Sequence, residues 1–365
     1  MDEHFLDKKL RDREETHSLR SLTIRGESMI DFCSNDYLGI VKNKLIEKSM
    51  TAILPHGSTG SRLLSGNYQL IEELEKKLAD FHDAEAGLVF NSGFDANTGL
   101  LSCVPQKEDT IIYDKLSHAS IRDGIRLSFA AAFSFHHNDL SDLETKLKTA
   151  NVSRQKFVVT ESVFSMDGDV APLGQMAHLC KKYNAALIVD EAHATGIIGE
   201  RGEGLVQNLN LQNQVFARIH TFGKACGAHG AVVLGSSKLK KYLINFSRQF
   251  IYSTSLPPAS AEAISVAYEL FPLMHQERKH LRMLIETFQA APSKYKILQS
   301  HTAIQAIVIP GNDEVKALAN ICRQNNFDIR PILYPTVPKG MERLRIVLHS
   351  FNTLQEVRSL AALFQ

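Results

Sequence analysis

The chain has 365 residues, 44% of them hydrophobic and 22% charged, a composition typical of a globular protein with two domains or one large domain and an appendage. Its formal net charge of +1 gives no electrostatic basis for binding nucleic acid or an anionic membrane, so neither is expected as a partner. The charged N-terminus and the lack of a long apolar run argue against a signal peptide and a membrane span. Five single cysteines without C-x-x-C spacing favour a reducing, cytoplasmic location over disulfides or a zinc site.

In chain order, the sequence predicts helices that alternate with short apolar strands. The first 20 residues predict a charged helix, and MIDFCSNDYLGI (29–40) predicts a short strand that ends in a turn. Apolar residues at 70, 71, 74, 78 and 81 form one helical stripe. Five later segments each read as a strand that runs into a polar loop or helix start: GLVFNSGFDANTGLLSCV (87–104), TIIYDKLSHAS (110–120), KFVVTESVFSMDGDVAPL (156–173), AALIVDEAHATG (185–196) and VFARIHTFGKA (215–225).

This alternation predicts an α/β fold with a mainly parallel central sheet flanked by helices. After about residue 265 long helical segments lead to the short strands AIQAIVIPG, FDIRPILY and RLRIVLHSF, which predict a smaller C-terminal α+β domain. We therefore expect an N-terminal helix and strand segment (1–38), a large domain (39–265) and a small domain (266–365).

Ligands bind at the carboxyl ends of the strands in parallel sheets, and polar residues follow several predicted strands here. Among them, Lys224 lies between Gly223 and the small residues 225–227. A lysine in such a turn is ordinarily a surface residue. Held among small residues and partly desolvated, it could instead be a nucleophile with a lowered pKa.

Two other interpretations of the motifs fail. The tetrapeptide DEAH (190–193) also occurs in ATP-driven helicases, but the phosphate loop is missing, because Arg218 and Ala225 stand where that loop needs glycine and Ser/Thr. His136 and His137 are adjacent and point to different sides of an extended segment, so a metal site is not expected. The chain also lacks a G-x-S-x-G elbow and a well-placed G-x-G-x-x-G.

One lysine, a strand-end aspartate, a histidine and small turns suit a Schiff-base cofactor. The lysine forms an imine with an aldehyde, and the aspartate pairs with a protonated pyridine nitrogen. Backbone N–H groups at a helix start can hold a phosphate. Asp190 followed by Lys224 within TFGK is the most specific part of this pattern.

With these residues the chain resembles the α-oxoamine synthase family of fold type I pyridoxal-phosphate enzymes. The resemblance covers nearly the whole length and rests on FCSNDYLGI, GSTGSRLLSGN, FNSGFDAN, YDKLSHASIRDGIRLS, HHND, TESVFSMDGDVAPL, VDEAHATG, TFGKACGAHGA, IYSTSLPPA and YPTVPKGMERLRIVLHSFNT. It implies that the large domain binds pyridoxal 5'-phosphate.

The resemblance also implies roles for individual residues. Lys224 is similar to the imine-forming lysine that later acts as acid and base, Asp190 to the partner of the pyridine nitrogen, and His118 to the residue stacked on the ring. The other implied cofactor contacts are His193 and Ser165 at the phenolate oxygen, Gly93, Phe94 and Thr221 at the phosphate, and Ser253 and Thr254 at the phosphate of a neighbouring subunit. The last two imply a homodimer.

The implied substrate residues are Arg345, which would hold the amino-acid carboxylate, and Arg20, Asn35 and Thr336. Two of them have an equally simple structural interpretation. Asn35 could cap a turn, and Thr336 could be a turn residue between two prolines. Arg62 could be an ion-pair residue that holds its loop.

Members of this family join an amino acid to an acyl thioester with loss of CO2. IYSTSLPPA and YPTVPKGMERLRIVLHSFNT resemble the branch of biotin synthesis, which joins L-alanine to a pimeloyl thioester carried by CoA or acyl carrier protein. The alternative is a branch such as glycine C-acetyltransferase, with another amino acid and acyl-CoA. Some family members are inactive partner subunits that lose the lysine, but Lys224, Asp190 and His118 are all present here.

Overall fold

The computed structural model describes residues 3–24, 26, 28–50, 54–150 and 154–365. The strands are β1 (Ile30–Asp31), β2 (Ala86–Phe90), β3 (Thr110–Asp114), β4 (Ala131–Phe135), β5 (Lys156–Glu161), β6 (Ala185–Asp190), β7 (Ala217–Thr221), β8 (Ala231–Gly235), β9 (Lys296–Ile297), β10 (Ile304–Val308), β11 (Phe327–Asp328), β12 (Arg330–Ile332) and β13 (Arg343–Val347).

The helices are α1 (His4–Glu15), α2 (Leu45–Ser49), α3 (Gln69–Phe81), α4 (Gly93–Cys103), α5 (Ala119–Leu127), α6 (Leu140–Thr149), α7 (Leu173–Lys182), α8 (Leu205–Asn208), α9 (Ser237–Phe246), α10 (Arg248–Ile251), α11 (Pro258–Leu270), α12 (His275–Gln289), α13 (Asn312–Gln324) and α14 (Leu354–Ala362). Within the described ranges, no helix has the length and apolar character needed to cross a membrane.

The chain divides into two compact units. The large unit comprises Leu38–Ser165 and Val170–Gln276, and the small unit comprises Met1–Tyr37, Met166–Asp169 and Glu277–Gln365.

The large unit contains a seven-stranded sheet with the strand order β2-β8-β7-β6-β5-β3-β4. β8 pairs antiparallel with both of its neighbours, and every other pairing between adjacent strands is parallel. All strands except β8 therefore run in one direction, and their carboxyl ends lie along the same edge. This is the predicted mainly parallel α/β fold.

Helices cover both faces of this sheet. Successive strand residues point to opposite faces, so each strand contributes to the apolar clusters on both sides. Leu88 and Phe90 belong to one apolar cluster together with residues of α4, α5 and α9. Val89, between them, belongs to the other cluster, with residues of α3 and α11. The predicted apolar stripe of α3 buries Ile71, Leu74 and Leu78.

The small unit contains two sheets. A four-stranded antiparallel sheet has the order β12-β13-β10-β9, and the short strands β1 and β11 form a parallel pair. The three predicted C-terminal strand segments correspond to β10, to β11 with β12, and to β13. The helix predicted over the first 20 residues is shorter in the structure: α1 spans His4–Glu15, and residues 16–20 are not helical, because the chain turns at His17, which has a φ of 51°. Residues 1 and 2 lie outside the described residues. The three-part division at residues 38 and 265 stays a prediction.

Candidate active site

The carboxyl edge of the large sheet brings most of the predicted cofactor residues together. Asp190 is the last residue of β6, and Thr221 is the last residue of β7, three positions before Lys224. His118 follows β3, and Gly93 follows β2 after a short turn. Residues separated by up to 131 positions in sequence (224 − 93) thus belong to loops at one edge.

Gly93 and Thr221 form a small cup at the start of α4. A Cβ atom on Gly93 would lie 2.4 Å from Cγ2 of Thr221, so only glycine fits at this position. The Thr221 hydroxyl is buried, and within the described structure it has no hydrogen-bond partner. A buried hydroxyl without a partner is unfavourable unless a ligand or water satisfies it. Together with the free N–H groups at the N-terminus of α4, it suits a phosphate group.

Asp190 is held in a fixed orientation. Its Oδ2 accepts a hydrogen bond of 2.7 Å from Nδ2 of Asn97, and its Oδ1 accepts one of 2.8 Å from the backbone N–H of Ala192. The carboxylate is buried, and both of its oxygens retain a second lone pair. It can therefore accept a further hydrogen bond from a protonated ring nitrogen.

His118 caps the N-terminus of α5 and is exposed to solvent. Its Nδ1 lies 2.7 Å from Oγ of Ser120 and 3.2 Å from the backbone N–H of the same residue. Desolvation lowers the pKa of His118; the negative charge of Asp190 opposes this effect, and the positive charges of Lys224 and Arg122 add to it. A neutral imidazole with an exposed surface is suited to stacking on an aromatic ligand.

Lys224 is half-buried in the turn after β7, and its positive charge affects the pKa of two neighbouring groups. It lowers the pKa of His118 and opposes the rise in the pKa of Glu161. Burial, reinforced by the negative charge of Asp190, raises the pKa of Glu161 to about 8. Lys224 thus belongs to a compact electrostatic cluster with Asp190, His118 and Glu161.

The other predicted cofactor residues lie in loops of the large unit. His193 is buried in the turn after β6, and Ser165 is half-buried in the loop after β5. Phe94, the second residue of α4, is exposed. Ser253 and Thr254 line a small cavity with Arg62 and Asn91, and the Asn91 amide donates to the Thr254 carbonyl at 2.7 Å.

The four predicted substrate residues form two pairs within the small unit. Nη2 of Arg345 donates to Oδ1 of Asn35 at 3.0 Å, and Nη2 of Arg20 donates to Oγ1 of Thr336 at 3.0 Å. Asp31, rather than Asn35, caps the turn that follows β1, since its Oδ1 accepts from the backbone N–H groups of residues 33 and 34. Thr336 does lie in a turn, where its N–H donates to the Leu333 carbonyl.

Three residues that contact Asp190 or His118 were not predicted from the sequence: Asn97, Ser120 and Glu161. Glu161 ends β5 directly beside Asp190, and it accepts a 2.7 Å hydrogen bond from the backbone N–H of His118. The strand-end rule that selected Asp190 would also have selected Glu161. Asn97 and Ser120 lie inside helices and carry no comparable signal.

Two side chains considered in the sequence analysis, His137 and Arg62, form polar contacts in the structure. Nδ1 of His137 lies 2.9 Å from the buried Asp114, and no group of three or more metal-ligating side chains is found among the described residues. Nη1 of Arg62 forms a buried 2.7 Å ion pair with Glu75, which anchors its loop.

The chain is similar to known proteins over most of its length. Residues 27–362 match the family model described as "Aminotransferase class I and II". The 8-amino-7-oxononanoate synthase of Emericella nidulans is 39% identical, with 96% of this chain and 92% of that protein covered.

Several solved structures are also similar. Serine palmitoyltransferase from S. paucimobilis, solved with a bound PLP–myriocin aldimine, has a TM-score of 0.86 and 25% identity over 99% of this chain and 96% of that chain. The 8-amino-7-oxononanoate synthase of Francisella tularensis has a TM-score of 0.75 and 28% identity, with 93% and 97% covered.

Proposed function

The chain belongs to the aminotransferase class I and II family, and on this basis we propose that it is a pyridoxal-phosphate-dependent acyltransferase that condenses L-alanine with a pimeloyl thioester. The observation that carries the proposal is the cluster of Lys224, Asp190 and His118 beside the Gly93–Thr221 cup. The alanine and pimeloyl specificity is supported by the 39% identity to an 8-amino-7-oxononanoate synthase over most of both chains.

The residues present fit this cofactor. When bound, pyridoxal phosphate supplies an aldehyde that reacts with amines and a ring that stabilises negative charge on the carbon next to the amine. Gly93 and Phe94 would hold the phosphate through their backbone N–H groups, and the buried Thr221 hydroxyl would donate to it. Asp190 would accept the ring N–H, because its oriented carboxylate has lone pairs left.

The remaining large-unit residues would complete the binding site. His118 would cover one ring face, and His193 and Ser165 would contact the phenolate oxygen. Ser253 and Thr254 would reach the phosphate of a second subunit, so the active protein would be a homodimer. These assignments extend the family pattern to the matching positions of this chain.

Lys224 would be the acid and base of the reaction. Its amine removes the α-proton of alanine and later returns a proton at the same carbon, which requires a pKa near neutrality. Arg345 would bind the amino-acid carboxylate through its planar guanidinium group, which Asn35 orients at 3.0 Å. Arg20 and Thr336 would contribute further substrate contacts.

The overall reaction balances as alanine plus pimeloyl thioester giving 8-amino-7-oxononanoate, CO2 and the free thiol of the carrier. A carbon–carbon bond forms between the alanine α-carbon and the thioester carbonyl. The bond to sulfur breaks, and the carboxyl group leaves as CO2. The product is an intermediate of biotin synthesis, and a reducing cytoplasm would suit the five free cysteines.

The direct test of the substrates is a matrix of reactions. The cofactor-loaded protein is mixed with L-alanine, glycine or L-serine, each with pimeloyl-, acetyl-, succinyl- or palmitoyl-CoA, and thiol release is followed. We expect thiol release with alanine and pimeloyl-CoA from the wild type. The control variant Lys238→Ala, at an exposed position, should release thiol equally, and Lys224→Ala should release none. Release only with glycine and acetyl-CoA would instead identify a glycine C-acetyltransferase.

A further inference from the structure

One buried asparagine connects the two residues that would contact the cofactor ring. Nδ2 of Asn97 donates to Oδ2 of Asp190 at 2.7 Å and to Oγ of Ser120 at 3.1 Å. Asn97 is 2% and Ser120 1% exposed, so water does not compete for these bonds. The carboxylate can only accept, and this fixes which end of the Asn97 amide faces it.

The chain of hydrogen bonds continues from Ser120 to His118. Because the Asn97 amide donates to Oγ of Ser120, the Ser120 hydroxyl proton is available for Nδ1 of His118, 2.7 Å away. The backbone N–H of Ser120 also donates to this nitrogen, at 3.2 Å. Nδ1 therefore accepts two hydrogen bonds, and a neutral His118 carries its proton on Nε2.

We propose that Asn97 is a positioning residue that orients Asp190 directly and, through Ser120, fixes the protonation and tautomer of His118. The two N–H bonds of one amide would then orient both Asp190, the group proposed for the ring nitrogen, and His118, the group proposed for the ring face. The proposal rests on the proposed function for the identity of the ligand, but the hydrogen-bond chain exists without it.

A simpler explanation is that Asn97 merely satisfies its own polar groups inside the core. Removing it would then destabilise the protein without affecting Asp190 or His118. Asn352 offers a matched control in the small unit. It is also 2% exposed, and it uses its amide to accept from the backbone N–H of His349 and to donate to the Asp31 carbonyl.

The first arm of the test measures cofactor binding rather than turnover. Asn97→Ala and Asn352→Ala are titrated with pyridoxal phosphate, and the pH midpoint of the bound cofactor's visible absorbance is recorded. We expect Asn97→Ala to weaken binding about fivefold to fiftyfold and to shift the midpoint, because Asp190 loses a charge-assisted hydrogen bond. Asn352→Ala is expected to keep the wild-type cofactor affinity and pH midpoint.

The second arm uses the cofactor-free protein. The side-chain pKa of His118 is measured by NMR with ¹⁵N-labelled histidine, and its signal is assigned by its loss in His118→Gln. Ser120→Ala removes the hydroxyl donor to Nδ1, so we expect the pKa to rise by about half to one pH unit. Asn97→Ala is expected to raise it less, and Asn352→Ala not at all.

Wild-type cofactor affinity and an unchanged absorbance midpoint in Asn97→Ala would overturn the role at Asp190. An unchanged His118 pKa in Ser120→Ala would overturn the link to the histidine. If Asn97→Ala does not fold, Asn97→Ser serves in its place with the same expectations. A wild-type protein that binds no pyridoxal phosphate would instead refute the proposed function, and the NMR arm would still decide the link to His118.

Discussion

The side chain of Thr221 occupies the space that a Cβ atom on Gly93 would need, with 2.4 Å between Cγ2 and the position of that Cβ. This contact joins the carboxyl end of β7 to the first residue of α4. It brings a buried hydroxyl, which has no partner within the described structure, next to the N–H groups of a helix start. The close approach has consequences both for stability and for cofactor binding.

Gly93→Ala is expected to weaken pyridoxal phosphate binding at least about tenfold and to destabilise the protein by about 1–3 kcal/mol, because the new methyl group displaces Thr221. Spectroscopic titration and urea unfolding measure the two effects. Gly174→Ala is the matched control, since nothing lies within 4 Å of its Cβ position. It lies in α7 and is expected to be neutral or to stabilise by about 0.5–1 kcal/mol. Wild-type cofactor affinity in Gly93→Ala would show that the Gly93–Thr221 cup does not bind the phosphate.

Thr221→Val should have opposite effects on stability and on binding. Valine keeps the shape but removes the buried, unpartnered hydroxyl, so the cofactor-free protein should be about as stable as the wild type or more stable by about 1 kcal/mol. Cofactor affinity should fall about fivefold or more, because the phosphate loses a donor. Unchanged affinity would show that the hydroxyl does not contact the ligand.

Glu161 is expected to make the stability of the folded protein depend on pH. Burial and the charge of Asp190 raise its pKa to about 8 in the folded protein, whereas an unfolded glutamate titrates near 4.3. Between these values the folded state binds more protons than the unfolded state, so this group makes stability fall as pH rises. In Glu161→Gln the contribution is absent, and Oε1 can still accept from His118.

Urea unfolding of the cofactor-free proteins between pH 5 and pH 8 measures this effect. We expect the free energy of unfolding of Glu161→Gln, relative to wild type, to increase by on the order of 2 kcal/mol over this range. The surface variant Glu47→Gln controls for the loss of a carboxylate. A constant difference between Glu161→Gln and wild type would mean that Glu161 is ionised throughout.

Arg345→Lys tests the assignment of the amino-acid carboxylate. Lysine keeps the charge but loses the planar pair of donors, so the KM for the amino acid should rise about tenfold or more with a smaller change in kcat. Steady-state kinetics with varied amino acid separates the two parameters. Arg358→Lys, at an exposed position of α14, should leave both unchanged. An unaltered KM in Arg345→Lys would remove Arg345 from the substrate site.

Strong apolar patterns made most of the fold predictable from the sequence. TIIYD gave a strand at the same residues as β3, and the stripe at 70–81 gave α3. Strand β4 was not predicted from the sequence. It lies at the sheet edge with four of its five residues exposed, so its sequence AAFSF needs no strong alternation. Neighbouring strands in space, rather than local preference, define such an element.

The candidate site was predictable where a residue type and its position both carried a signal. Asp190 and Lys224 follow strands, and the fold places both at the carboxyl edge of the sheet. Asn97 could not be found in this way, because its two partners lie 23 and 93 residues away and its helix gives no sign of them. Such contacts depend on the packing of α4 against the sheet and on the start of α5.

Lys224 is proposed to serve a decarboxylative condensation of an amino acid with an acyl thioester. The most direct measurement incubates the cofactor-loaded protein with carboxyl-labelled L-alanine and pimeloyl-CoA and quantifies labelled CO2, free thiol and the amino-ketone product together. We expect equal amounts of all three from the wild type and none above background from Lys224→Ala. Thiol release without labelled CO2, or equal activity in Lys224→Ala, would contradict it.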